Sequence, residues 1–225
     1  MGDPQMMTAN IVRATTVLVS AYCFGTVANA QTTPYVAATG ALTFPKSLET
    51  DTGISGELNN GYAFTLAVGT GIGPIRAEIE GSYRRSSVEG ASGFGLDLPG
   101  TGNASALSAM ANAYFDPAFN IGPLQPYVGG GVGISRFRAS NVAALGLPFG
   151  GPVTSFGPIS GDRTGFAWQL MAGVGVALTE KAAFTLGYRY FATPGVTVND
   201  VPQFNSVRIN GLKIHAVEAG VRLSF

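Results

Sequence analysis

Val217-Glu218-Ala219-Gly220-Val221-Arg222-Leu223-Ser224-Phe225 closes the chain. Val217, Ala219, Val221, Leu223 and Phe225 fall on one parity, and Glu218, Gly220, Arg222 and Ser224 on the other. Side chains of a strand point alternately to its two faces, so the segment has one apolar face and one charged face. A terminal strand of this kind, ending on an aromatic residue, suits a barrel wall with lipid outside and a polar lumen inside.

The same alternation recurs upstream. In 75–83 the odd positions Ile75, Ala77, Ile79, Gly81 and Tyr83 oppose Arg76, Glu78, Glu80, Ser82 and Arg84. Phe166, Trp168, Leu170, Ala172, Val174, Val176 and Leu178 oppose Ala167, Gln169, Met171, Gly173, Gly175 and Ala177. Phe184, Leu186, Tyr188 and Tyr190 oppose Thr185, Gly187 and Arg189. Reading the whole chain this way predicts strands at 34–44, 60–71, 74–85, 103–116, 125–137, 164–178, 182–192 and 211–225. Short connections (70–74, 116–124, 179–181) alternate with long ones (45–59, 86–102, 138–163, 193–210). Short periplasmic turns, longer external loops and both termini on the short-turn side predict an eight-stranded antiparallel up-and-down transmembrane β-barrel.

Composition supports this. Charged residues make up 12% of the 225, about half the globular norm of about 25%. A soluble lipocalin-like barrel would have to turn the charged face of 76–84 outward, and the strands carry too few charges to wet its surface. The formal net charge of zero gives no electrostatic reason for nucleic-acid binding. No stretch beyond residue 30 has the roughly 20 apolar residues of a spanning helix. Residues 1–30 read as a cleavable signal peptide: Arg13 precedes an apolar run to Ala28, and Ala28-Asn29-Ala30 supplies a cleavage site. The barrel domain is then 31–225. Cys23 lies in the leader, so the mature chain has no thiol for a disulfide, a nucleophile or a metal.

At Arg76-Ala77-Glu78-Ile79-Glu80-Gly81-Ser82-Tyr83, Met110-Ala111-Asn112-Ala113-Tyr114, Pro126-Tyr127-Val128-Gly129-Gly130-Gly131-Val132-Gly133, Phe166-Ala167-Trp168-Gln169, Leu186-Gly187-Tyr188-Arg189-Tyr190 and Phe225, the chain resembles a known family. It is that of the small outer-membrane β-barrels of alphaproteobacteria, which includes opacity-like proteins, porin-family surface proteins and rickettsial-type surface antigens. The resemblance covers the barrel and little of the long loops. It implies insertion by the outer-membrane assembly machinery, with Phe225, Leu223 and Val221 in the strand that is read as an address.

Three sets of residues are candidates for function. Arg76, Glu78, Glu80, Arg84, Arg189, Glu218 and Arg222 share the lumen parity. An eight-stranded barrel has an interior only wide enough for side chains to fill, so these charges are expected to pair as a plug; a narrow gated channel is the alternative. Arg85, Arg136, Arg138, Arg163 and Lys213 form the second set. A rise of about 2.5 Å per tilted residue puts them about 25 Å or more above the short turns, at the outer edge of the apolar band. There they are candidates for rim solvation or for contact with lipopolysaccharide phosphates. His215, the one histidine, is the third. A lipid A-modifying site would need a carboxylate beside it, and Glu218 has the opposite parity. Gly129 to Gly133 lies within a strand and offers no phosphate cradle; close packing explains it.

The sequence therefore predicts a monomeric outer-membrane protein with no cofactor and no catalytic centre, in contact with outer-membrane lipids and lipopolysaccharide. Its expected role is structural and surface-exposed, of the surface-antigen or adhesion kind. It names no partner for the external loops, although loops of this composition are where recognition resides.

Overall fold

A computed structural model of the chain describes residues 32–49, 54–93, 96–145, 155–194, 196–201, 204–209 and 211–225, with side chains described outside 48–57, 89, 91–101, 139–163 and 195–210. Residues 1–30, expected from the sequence to be a cleavable leader, lie outside the described residues. In chain order the strands are β1 (Thr32–Pro45), β2 (Leu48–Glu49), β3 (Ile54–Leu58), β4 (Gly61–Ile72), β5 (Ile75–Gly93), β6 (Leu96–Phe115), β7 (Leu124–Leu145), β8 (Ser155–Ala177), β9 (Ala182–Ala192), β10 (Val196–Val201), β11 (Phe204–Ile209) and β12 (Lys213–Ser224). Eight of them, β1, β4 to β9 and β12, form the wall, each antiparallel to its neighbours, and β12 pairs with β1 to close it. Closure leaves no barrel edge to be satisfied, which a bilayer requires.

Register fixes the barrel's size. Tyr35 pairs with Gly69, and the row continues through Glu78, Asn112, Gly131, Gln169, Phe191 and Ile214 to Pro45, back on β1 ten residues further on. A stagger of ten residues over eight strands gives a tilt of roughly 40° and an interior that side chains can fill. The short turns hold this register. Gly73 and Gly122 take positive φ, 58° and 61°, in the β4–β5 and β6–β7 turns, where a side chain would be strained. Thr179 Oγ1 accepts from the Lys181 and Ala182 amides in the third turn.

The faces sort as the alternation requires. Leu66, Ile79, Leu107 and Leu170 are more than half exposed on the outside, while Arg76, Glu78, Glu80, Arg84, Arg189 and Glu218 are buried inside. Soluble proteins do not encircle themselves with exposed aliphatic side chains, so the wall is a lipid surface and the soluble alternative is excluded. Aromatic residues border the band on the external side, with Phe44, Tyr62, Phe64, Tyr83, Phe166 and Tyr188 outward. Phe115, Phe184 and Phe225 face outward near the short turns.

The expected loops at 86–102 and 138–163 require correction. The β5–β6 ladder continues to Gly93 opposite Leu96, and β7–β8 to Leu145 opposite Ser155. Bulges interrupt both, at Val88/Gly90 and between Ala139 and Ala144. Beyond the bilayer neither face has to be apolar, so the alternation fades while backbone pairing goes on. Within 45–59, β3 adds to the external end of β5, and within 193–210 β10 pairs with β11.

Candidate functional site

The lumen brings the inward charges together in tiers, each built from several strands. The tier nearest the short turns is aromatic and cationic. Arg76, on β5, donates through Nε and Nη2 to both carboxylate oxygens of Asp116, at 2.6 and 2.9 Å. This two-pronged geometry suits a planar guanidinium. Its carbon lies 4.5, 5.5 and 5.8 Å from the ring centres of Tyr114, Tyr127 and Tyr35, a cation surrounded by ring faces. Arg222 adds a second guanidinium 5.7 Å from the Tyr35 ring.

Glycines in adjacent strands make room for these rings. A side chain at Gly129 would run into the Tyr114 ring, and a Cβ at either Gly173 or Gly187 would come within 2.5 Å of the Tyr127 hydroxyl. At Gly131 the obstacle would be Asn112. The glycine run 129–131 is thus a packing device on its odd, lumen-facing positions.

The middle tier centres on Arg189, on β9. It donates through Nη1 to Glu80 Oε2 at 2.7 Å and through Nε to Glu218 Oε2 at 2.7 Å. A third bond runs from Nη1 to Gln169 Oε1 at 2.9 Å. Glu80 Oε2 also accepts from Asn112 and Gln169, at 2.9 and 3.2 Å. One cation thus joins β5, β8, β9 and β12 across the bore. Glu78 has no cation within ion-pair distance among the described residues; it accepts from Tyr35 Oη (3.1 Å), Asn112 Nδ2 (3.2 Å) and Tyr114 Oη (3.3 Å).

The upper tier turns from polar to apolar. Arg84 Nη1 donates to Ser82 and Ser108 hydroxyls at 2.8 and 3.2 Å, and its guanidinium lies 4.1 Å from the Phe191 ring centre. Beside it Phe191, Leu212 and Ile214 pack with Met110 and Ala167, joined by Leu58 and Phe137. The cavity among Pro45, Leu58, Arg84, Phe137, Leu212 and Ile214 measures about 20 Å³, room for about one water molecule.

Of the seven lumen charges read from the sequence, Arg189, Glu80 and Glu218 form ion pairs with one another. Arg76 pairs outside the set, with Asp116, while Glu78, Arg84 and Arg222 meet neutral or aromatic groups. Asp116 closes the predicted strand 103–116 on the parity of Tyr114, so carrying the lumen parity to the end of that strand would have found it. The neutral partners Tyr35, Asn112, Tyr114, Tyr127 and Gln169 lie on lumen parity too, but a search for charge passes over them.

The rim cations divide. Arg85, Arg136 and Arg138 are exposed on the outward parity of β5 and β7, and Lys213 is exposed on β12. Arg163 is opposite Phe137, at a lumen-side register position of β8. His215 points outward, its Nδ1 hydrogen-bonded to the Tyr188 hydroxyl and its ring 5.1 Å from that of Tyr190. Glu218 is on the inner face of the same strand, so no carboxylate and histidine meet there. Phe225, Leu223 and Val221 line the outward side of β12, and the Phe225 amide donates to Pro34 O at 3.0 Å.

The chain is similar to known proteins. Uncharacterized proteins of Brucella abortus and Brucella suis are 29% identical over 208 residues, covering 75% of this chain and 70% of theirs. The crystal structure of Neisserial surface protein A superposes with a TM-score of 0.52 at 21% identity, over 85% of this chain and 97% of that one. Ail, the attachment invasion locus protein of Yersinia pestis, is a further similar structure, with 15% identity and a TM-score of 0.43 over 85% and 99% of the two chains. Residues 14–225 match the model of the outer membrane protein beta-barrel domain, so the chain belongs to that family and resides in the outer membrane.

Proposed function

We propose that this barrel is a sealed structural platform that carries its working surface outside the cell, in an adhesion or surface-antigen role, after removal of the leader at Ala30. The observation that carries the reading is the occluded bore: Arg189 spans it, and Phe191, Leu212 and Ile214 cap it. A pore would need Arg189 to leave both carboxylates and the cap to part. With lipid around the wall and side chains through the middle, the surface left for recognition is the external hairpins. β5 runs on from Arg85 to Gly93 and β7 from Arg136 to Leu145, which lifts the hairpin ends roughly 20 Å above the rim. No catalytic role is assigned to His215, whose hydrogen-bond partner is a tyrosine.

Replacing 87–102 and 139–162 with short turns tests this. The barrel should still reach the outer membrane in folded, heat-modifiable form, while whole-cell adherence and labelling by antiserum against the protein fall to the level of a deletion strain. A hairpin-less barrel that restores adherence and labelling would overturn the reading.

A further inference from the structure

Arginine is concentrated on one sector of the external rim. Arg85 on β5 and Arg138 on β7 are in one register row with Ser105 of β6 between them, and Tyr83, Leu107 and Arg136 form the next row down. All three arginines are exposed on the outward parity. Two strand spacings separate β5 from β7, about 10 Å, so the guanidinium groups of Arg85 and Arg138 lie within reach of one doubly charged head group. Arg85 Nη2 donates to Asn103 Oδ1 at 3.1 Å, which leaves most of its five N–H donors for a ligand. Asp162 on β8 is the register partner of Arg138.

What meets this patch is set by what lies beneath it. Tyr83, Leu107 and Ile134 are exposed apolar residues directly below the arginines on the same three strands. They mark the top of the hydrocarbon band, so the arginines stand at the head-group level of the outer leaflet. Arginine presents a planar fork that matches phosphate oxygens two at a time, and an anion there is held by charge-assisted hydrogen bonds. Below, β6 turns Ala109, Ala111 and Ala113 to the lipid, and these small side chains let acyl chains lie close to the wall.

We infer that the outer face of β5 to β7 is a docking surface for the phosphorylated glycolipid of the outer leaflet, lipopolysaccharide, with Arg85, Arg136 and Arg138 on its phosphates. Arg163 takes no part because its register position is on the lumen side, and Lys213 stands on β12 across the barrel. The site is independent of whatever the hairpins recognise.

The test uses the mature full-length protein in detergent micelles, with bisphosphorylated lipid A as the probe and native mass spectrometry as the readout. The wild type should retain lipid A. R85Q/R136Q/R138Q should bind it at least about tenfold more weakly, the loss expected for about one charge-assisted hydrogen bond or more. Lys181→Gln, in a periplasmic turn, should bind as the wild type does. Folding of each variant is checked by heat-modifiable gel mobility; if the triple variant does not fold, the three single Arg→Gln variants are compared instead, and each should weaken binding. Unchanged affinity in the folded variants would overturn the inference. Equal retention of dephosphorylated lipid A or of phosphatidylglycerol by the wild type would overturn it as well.

Discussion

Replacing Arg189 by methionine removes the cation from the centre of the lumen while keeping most of its volume, so the effect reports on charge and not on a cavity. Arg189 is 5% exposed, and its carboxylate partners Glu80 and Glu218 are 1% and 6% exposed. Taking one partner from a buried ion pair costs roughly 3–5 kcal/mol, because a desolvated charge is left behind. Here two carboxylates lose the same cation, which puts the expected loss near the upper end, about 5 kcal/mol. The triple variant Arg189→Met, Glu80→Leu, Glu218→Leu removes all three charges and leaves Asn112 and Gln169 bonded to each other at 2.8 Å. Apolar replacement of an entire buried ionic cluster is often neutral or better, so this variant should recover to within about 2 kcal/mol of the wild type. Urea unfolding in vesicles, followed by emission of the single tryptophan, Trp168, and by gel mobility, measures both. An Arg189→Met barrel within about 1 kcal/mol of the wild type, or a triple variant no better than the single one, would refute the reasoning.

Gly129→Ala should displace the Tyr114 ring from its place over Arg76 and beside Glu78; a loss of about 1–3 kcal/mol is expected in the same unfolding assay, and an unchanged midpoint would contradict the packing account. Ile79 is 62% exposed on the lipid face, so Ile79→Arg should cost roughly 2–4 kcal/mol, and a spin label at 79 should report lipid; water accessibility equal to that of the hairpins would contradict its placement. Deleting Phe225 removes the end of the strand proposed as the assembly address and should leave an exported, protease-sensitive, unfolded chain; normal amounts of heat-modifiable barrel in the outer membrane would show that the address lies elsewhere.

Much of the wall was legible because a bilayer imposes a strict condition on it. Inside the hydrocarbon layer each strand must place apolar groups outward, so the faces of 75–83, 166–178 and 184–190 could be assigned residue by residue. Outside that layer the condition lapses, which is why the paired continuations of β5 to β8 read as loops. The lumen was legible in part. Parity put Arg189, Glu80 and Glu218 on the inner face, but which cation meets which carboxylate depends on the ten-residue stagger, and no single strand reveals that. Arg76 went to Asp116 and Glu78 to tyrosine hydroxyls because the stagger sets those groups beside them. Arg163 has the parity of Ala167 and Gln169, so extending the alternation of 166–178 upstream would have put it on the lumen side, but it fell in a segment read as loop.

Conductance in planar bilayers tests most directly the claim that the bore is sealed. The purified wild-type barrel should be electrically silent at neutral pH, and Glu218→Ala, which takes one carboxylate from Arg189, should lower thermal stability. A steady, ion-selective current through the wild type, changed in selectivity by Glu218→Ala with no loss of stability, would mean that Arg189 and its partners line a working channel and that the sealed-platform account is wrong.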